Sequence, residues 1–175
     1  MDTVASVPPG DEALERDRLI MVDLLSHHPD LAHRGCRPGH LTGSAFVVDH
    51  TATQALLLFH TKLQRWLQPG GHADGETNLA SVAFREATEE SGMVGLRIDP
   101  APVDLDIHLV APPGEDAHLH LDVRFVVVAP PGAEPHGNHE SQSVRWVPRG
   151  ELERYDVDPG LLRLAEAAFR SARPS

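Results

Sequence analysis

The chain of 175 residues carries 26 acidic side chains against 15 lysines and arginines, so its formal net charge is −11 at pH 7. This length predicts one domain, and a hydrophobic share of 41% is enough for a sizeable core, which excludes wholesale disorder. The negative charge would repel a phosphate backbone, so we expect no generic nucleic-acid or anionic-membrane binding, and an anionic ligand would need a bound cation. Cys36 is the one cysteine, which excludes an intramolecular disulfide and a cysteine-based zinc site and favours a reducing compartment.

The first predicted elements are a loose leader and a helix. Residues 1–10 contain a Pro-Pro-Gly run, which is typical of an irregular segment. Apolar residues lie among alternating charges between positions 11 and 28, and Pro29 follows, so this segment is predicted to be an amphipathic helix. Its best apolar run is short and interrupted by Asp23, so we expect neither a signal peptide nor a membrane span, and we expect a cytoplasmic protein.

A predicted hairpin and a second helix follow. Residues 41–48 and 55–59 are rich in β-forming side chains and are separated by a turn, which predicts a β-hairpin. A glycine-rich turn at residues 70–75 then leads into the best-defined predicted helix, residues 78–91, which a glycine ends.

The second half of the chain is mainly predicted strand. Residues 103–109 and 119–125 alternate apolar and polar side chains, so we expect two neighbouring antiparallel strands joined by Pro112-Pro113-Gly114. A short strand at residues 143–147 and an amphipathic helix at residues 159–172 complete the chain. This order predicts a mixed α/β sandwich rather than a parallel sheet built of βαβ repeats.

Three glutamates of the predicted central helix carry the most informative pattern. Because each helical residue advances by about 100°, Glu86, Glu89 and Glu90 share one face. Three like charges in a partly buried place need a counter-charge, and oxygen ligands at compact spacing favour Mg²⁺ or Mn²⁺ over zinc. The alternative is a solvated acidic patch near the carboxyl end of the helix, where the helix dipole opposes negative charge.

The segment around these glutamates resembles the signature of the Nudix hydrolase family, which is called the Nudix box. That signature is a Gly, five residues, a Glu, seven residues, and then Arg-Glu-(apolar)-any-Glu-Glu-any-Gly-(apolar). Residues 85–93 fit its second half at every position. In the first half, Gly70 and Glu76 have the right mutual spacing, but eight residues follow before the arginine, whereas Gly71 keeps the full spacing and places Thr77 at the glutamate position. One extra residue at the junction of loop and helix explains the departure most simply.

The resemblance implies a fold and a reaction. It implies a single Nudix domain over residues 1–175, with the family-like part at residues 40–155. The implied architecture is an α/β/α sandwich with a mixed central sheet and the box helix packed between sheets. The implied reaction is hydrolysis, dependent on Mg²⁺ or Mn²⁺, of the pyrophosphate bond in a nucleoside diphosphate linked to another moiety, by attack of a metal-activated water.

The resemblance also implies roles for the box residues. Glu86 and Glu90 are expected to be the principal metal ligands, with Glu89 as a third ligand or the base that positions water. Gly71 is expected to offer its carbonyl oxygen, since only a glycine turn lets the main chain approach a metal so closely.

Two further residues complete the expected catalytic set. Arg85 is expected to orient the cluster by pairing with a box carboxylate such as Glu76. Glu140, just before the short late strand, lies where many Nudix proteins supply a further ligand or general base, and a solvated loop glutamate is the alternative.

Polar side chains outside the box are candidates for substrate binding. His118, His120 and Arg124 would share one strand face and form the polar wall of the substrate cavity, with the two histidines available as secondary metal ligands. The alternative is the solvent-facing side of an antiparallel sheet. The candidate substrate-binding residues are His72, Lys62, Arg65, Arg124, His118 and His120.

Two other functions of the same fold stay open at this point. One is a nucleotide-sensing Nudix domain that binds without cleaving, against which the three intact glutamates argue. The other is an isoprenoid-diphosphate isomerase, against which the position of Cys36, in a turn far upstream of the box, argues. The expected partner is a small-molecule nucleoside diphosphate derivative, and the expected oligomeric state is a monomer or a homodimer.

Overall fold

The computed structural model describes residues 2–111, 116–139 and 141–172. Its helices are α1 (Asp2–Ala5), α2 (Glu12–His27), α3 (Leu79–Ser91) and α4 (Pro159–Ser171), with a 3-10 helix, Arg149–Tyr155, before α4. Its strands are β1 (Gly39–Val48), β2 (Gln54–His60), β3 (Arg65–Leu67), β4 (Gly70–His72), β5 (Arg97–Val110), β6 (His118–Val128) and β7 (Ser141–Pro148). Among the described residues, no helix is both long and apolar enough to cross a bilayer.

The described strands form one seven-stranded mixed sheet. The strand order is β3-β2-β1-β6-β5, while β4 pairs with β1 and β7 pairs with β2. The β1–β6 pair is parallel and the other pairs are antiparallel. The predicted mixed α/β sandwich is therefore confirmed, but α3 contacts strands of a single sheet, so it packs against one face rather than between two sheets.

Two hydrophobic clusters lie on opposite faces of this sheet. Ala45 and Val47 of β1 pack in one cluster with Val82 of α3, whereas Phe46 and Val48 pack in the other with α4. This follows from the alternation of side chains along a strand. The box helix and the C-terminal helix therefore cover different faces.

The amino-terminal segment differs from the predicted loose leader. Residues 2–10 contain one helical turn, and Val4 and Val7 are buried. The Arg18 guanidinium donates hydrogen bonds to the carbonyls of Val4 (2.9 Å) and Pro8 (3.0 Å), which ties the segment to α2. The segment before and including the Pro-Pro-Gly run is therefore packed against the rest of the chain, whereas a loose leader was predicted.

The other predicted elements agree closely with the structure. Asp11 caps the amino end of α2, and the predicted antiparallel pair is β5 and β6. The hairpin of β1 and β2 pairs at Val48 and Ala55, and β2 then pairs along its length with β7. The predicted connection at residues 112–114 lies outside the described residues.

Candidate active site

Helix α3 brings two of its glutamates against the glycines of β4. It begins after Asn78, whose side chain accepts a hydrogen bond from the backbone N–H of Ser81, and ends at Gly92, which has a φ of 67°. Glu90 is 4% exposed, and its Oε2 accepts a hydrogen bond from the backbone N–H of Gly70 at 3.0 Å. One turn earlier, the Glu86 side chain is 15% exposed.

Gly71 lies directly beside the Glu86 carboxylate. A Cβ added at Gly71 would be 2.5 Å from both Cδ and Oε1 of Glu86, so a larger residue would displace this carboxylate. Glu89 is exposed on the same helix. Carboxylate oxygens beside a glycine backbone form the hard donor set that Mg²⁺ and Mn²⁺ prefer, so the residues present fit such a cation.

Arg85 orients one of these carboxylates. Its guanidinium donates to Glu86 Oε1 at 2.7 Å and to the carbonyl of His72 at 3.1 Å. The hydrogen bond to Glu86 raises the pKa of Arg85. The expected pairing with a box carboxylate is therefore present, but the partner is Glu86 rather than Glu76, whose Oε1 instead accepts from the backbone N–H of Asn78 at 2.7 Å.

A group of histidines lies on the other face of β4. Because Gly71 faces α3, the next residue, His72, points to the opposite side of the sheet. There the Nε2 atoms of His72 and His120 lie 3.2 Å apart. One ring nitrogen from each of His40, His72 and His120 lies within 4.8 Å of the other two.

The pKa values of His72 and His120 are both lowered. Burial, then the charge of Arg34 and the neighbouring rings, lowers the pKa of His72 to about 4. Burial, then the neighbouring histidines, lowers the pKa of His120 to about 3. His118 is buried beside them, and its Nδ1 bonds to the carbonyl of Asp116 at 2.8 Å.

Comparison with known proteins identifies the family. The protein-family model that is described as "NUDIX domain" matches residues 40–168 of this chain. The chain belongs to the Nudix hydrolase family. Pyrophosphate hydrolysis is the general reaction that this membership supports. The match extends beyond the expected family-like part, residues 40–155, into α4.

Solved structures share this Nudix fold at low sequence identity. A C. elegans Ap4A hydrolase binary complex is 18% identical, with 75% of this chain and 95% of that chain covered and a TM-score of 0.60. A NUDIX hydrolase from Listeria monocytogenes is 16% identical, with 75% and 93% covered and a TM-score of 0.59. The NUDIX domain of Shewanella oneidensis NrtR complexed with ADP ribose is 18% identical, with 86% and 97% covered and a TM-score of 0.56. No curated protein matches the chain.

Arg124 of this Nudix domain is not placed as expected, because it contacts protein carboxylates where a substrate phosphate or base was predicted. Its side chain is 4% exposed, and its guanidinium bonds to Asp122 at 2.8 Å and to Asp104 and Asp106 at 3.1 Å each. It also donates to the carbonyl of Gly160 in α4 at 3.1 Å. Helix α4 covers this polar strand face, so the arginine is held by protein groups.

Two further predicted substrate residues, Lys62 and Arg65, are exposed. Lys62 is exposed in the turn between β2 and β3, and Arg65 on β3 lies 3.7 Å from the Asp158 carboxylate. Glu140 lies outside the described residues.

The sequence interpretation missed His40. The parallel pairing of β1 with β6 places it beside His120. His40 lies one residue before the predicted strand at residues 41–48, and no local pattern shows which strand pairs with β1.

Proposed function

We propose that the chain hydrolyses the pyrophosphate bond of a nucleoside diphosphate linked to another moiety, with Mg²⁺ or Mn²⁺ as cofactor. The observation that carries this proposal is the packing of two glutamates, one helical turn apart, against the glycine pair of β4. In this proposal Glu86, Glu89, Glu90 and the carbonyl oxygen of Gly71 hold the cation. Such a cation neutralises the diphosphate and lowers the pKa of a coordinated water.

The chain's own groups orient this site. The N–H of Gly70 bonds to one oxygen of Glu90 and so holds this carboxylate against β4. Arg85 links Glu86 to the backbone of β4 and so limits rotation of that carboxylate. Glu89 is exposed, so it is free to position the attacking water or to accept its proton.

A second candidate for the general base is Glu140. The described residues before it support this proposal, since the backbone N–H groups of His136 (2.9 Å) and Gly137 (3.3 Å) bond to the carbonyl of Ser91 at the end of α3. The loop is therefore anchored close to the glutamates of the box helix. A Glu140→Gln variant distinguishes a general base, whose loss lowers kcat/KM and removes the acidic limb of the pH–rate profile, from a solvated loop residue, whose loss changes neither.

The charge of the chain supports a small, cation-bound substrate. With a net charge of −11, the surface disfavours a long polyanion, whereas a diphosphate chelated by a divalent cation carries little net charge. A cytoplasmic location is part of the same proposal, because the single thiol, Cys36, is buried and unpaired with another cysteine.

The test is a product-resolved screen of nucleoside diphosphate derivatives, including ADP-ribose and Ap4A, with Mg²⁺ and with Mn²⁺. The decisive variant is Glu90→Gln, because glutamine keeps an oxygen to accept from Gly70 but loses the charge that binds a cation. We expect kcat/KM to fall by at least about 100-fold with an unchanged far-UV spectrum. The matched control is Glu166→Gln, at an exposed residue of α4, which should keep activity within about twofold.

Two results would overturn the proposal. Full turnover by Glu90→Gln would remove that carboxylate from the site. Tight nucleotide binding by the wild type without any product would instead favour a nucleotide-sensing Nudix domain.

A further inference from the structure

One end of the sheet, on the face that α3 does not cover, carries five neighbouring histidines: His40, His72, His108, His118 and His120. Register places His40 of β1 and His108 of β5 on either side of His120 in β6, while His72 of β4 lies across from Thr42. Ring centroids of His40 lie 4.9 Å from His72 and 5.0 Å from His120. Four separate strands thus deliver imidazoles to one place.

The spacing of the ring nitrogens suits a metal ion. Nitrogen ligands at about 2.0–2.1 Å from a tetrahedral zinc ion lie about 3.3 Å from one another. The Nε2 atoms of His72 and His120 are 3.2 Å apart, and the nitrogen of His40 completes a set within 4.8 Å. Small ring rotations would therefore bring all three nitrogens to ligand distance.

Ring nitrogens that are shielded from water need a bonding partner, and a metal ion could be that partner. His40 is 3% exposed, and His72 and His120 are half-buried, so the rings are partly shielded from bulk water. In the contact between His72 and His120, one Nε2 must carry a proton and the other a lone pair. A cation between the rings would accept a lone pair from both.

A second group of ligand-type residues is less suited to a metal. One donor atom from each of His28, Asp30 and Cys36 also lies within 4.8 Å of the others. However, burial and then the hydrogen bond with Asp30 raise the pKa of the Cys36 thiol to about 11. The thiolate that binds a metal is therefore disfavoured at neutral pH.

We propose that His40, His72 and His120 form a nitrogen-ligand site for a borderline divalent cation such as Zn²⁺, distinct from the oxygen-ligand site at the box glutamates. The two sites lie on opposite faces of β4, because Gly71 faces Glu86 while His72 faces the histidines. Imidazole favours zinc and its neighbours in the first transition row, whereas carboxylate and carbonyl oxygens favour Mg²⁺ and Mn²⁺. Each site therefore selects its own class of ion.

His118 is a candidate fourth ligand that borders the set, since its ring nitrogens are not among the donor atoms that lie within 4.8 Å of one another. Its Nδ1 donates to the Asp116 carbonyl, which can only accept, so Nε2 is the ring nitrogen that could offer a lone pair to a metal. Its ring centroid lies 4.8 Å from that of His40. A carbonyl that fixes the tautomer of a ligand histidine is a frequent partner in metal sites.

The experiment is a metal titration of the full chain without a histidine tag, after chelation, with millimolar Mg²⁺ present throughout. Zn²⁺ binding is measured by calorimetry, and Co²⁺ binding by the visible absorption that tetrahedral nitrogen ligation produces. We expect the wild type to bind one ion with the Co²⁺ spectrum of a tetrahedral site. His72→Gln and His120→Gln should each weaken binding by at least about 100-fold.

Two control variants separate this proposal from the proposed hydrolysis. His50→Gln, at an exposed histidine of the hairpin turn, should bind Zn²⁺ as the wild type does. Glu90→Gln should also keep Zn²⁺ binding, even where it abolishes turnover. A far-UV spectrum of each variant confirms folding, and if one histidine variant fails to fold, the other and the wild-type Co²⁺ spectrum decide.

Three outcomes would overturn the inference. The first is a wild type that binds Zn²⁺ no more tightly than the two histidine variants. The second is displacement of the ion by millimolar Mg²⁺, and the third is loss of Zn²⁺ binding in Glu90→Gln, since both would place the ion among the glutamates.

Discussion

Substituting Gly71 by alanine tests how far the site depends on close contact between strand and helix. The added Cβ would lie 2.5 Å from Glu86 Oε1, whereas ordinary contact begins at 3.4 Å, so the carboxylate must retreat by about 0.9 Å. Gly71 does not have a positive φ, so alanine brings no backbone strain of its own. The three atoms nearest to the added Cβ all belong to the Glu86 carboxylate, so we expect the effect to act mainly through Glu86.

The expected consequences for stability and for activity differ in size. The atoms that must move are at the end of a flexible side chain, so the free energy of unfolding should fall by only about 1 kcal/mol. For a chain of this length that is a decrease of about 2–4 °C in Tm. In contrast, a displacement of about 1 Å at a group that positions the reaction costs about 100-fold in kcat/KM.

The assay measures both quantities on the same preparations. Thermal denaturation gives Tm, and the substrate found in the screen gives kcat/KM with saturating Mg²⁺. Gly35→Ala is the matched control, because its Cβ would meet nothing within 4 Å and Gly35 has no positive φ. Wild-type activity in Gly71→Ala would refute the reasoning, as would a loss explained entirely by unfolded protein.

Two predictions concern stability elsewhere in the chain. Arg124→Met leaves the buried Asp104 and Asp122 without their shared cation, which should cost about 3–5 kcal/mol and lower Tm by roughly 6–20 °C; a decrease below about 2 °C would show that the network contributes little. Burial alone would raise the pKa of Asp49, but hydrogen bonds from Thr51 and from backbone N–H groups of the turn outweigh it and lower the pKa below 3.8. The unfolded chain then binds more protons, so stability should fall as pH drops below about 4. Urea denaturation should show a shallower pH dependence in Asp49→Asn, and equal slopes would contradict this.

The box helix could be predicted in full because its information is local. The cap at Asn78, the glycine at position 92 and the spacing of the glutamates all lie within one short segment. The alternating pattern likewise predicted β5 and β6, since the period of a strand is visible in a few residues. These features need no knowledge of the rest of the chain.

The contacts that the sequence could not show depend on distant pairing and on what covers each face. His40 and His120 are 80 positions apart, and only the parallel register of β1 and β6 makes them neighbours. Alternation placed Arg124 on a polar strand face, but it does not tell whether solvent or a helix lies above that face. The burial of Val4 and Val7 has the same cause, because a Pro-Pro-Gly run predicts a turn without its direction.

The carboxylates on the two faces of the sheet differ in how far arginines neutralise them. On the α4 face, the buried Arg124 and the half-buried Arg163 bond to Asp104 and Asp106 and so neutralise these carboxylates. On the α3 face, Glu86 forms an ion pair with Arg85. The Arg85 side chain is 42% exposed, so solvent screens its charge. Consequently, more negative carboxylate charge is left for a divalent cation to neutralise at the box glutamates than among the aspartates. The same comparison supports zinc as the ion of the histidine site, since imidazole ligands bind zinc through nitrogen lone pairs and not through net charge.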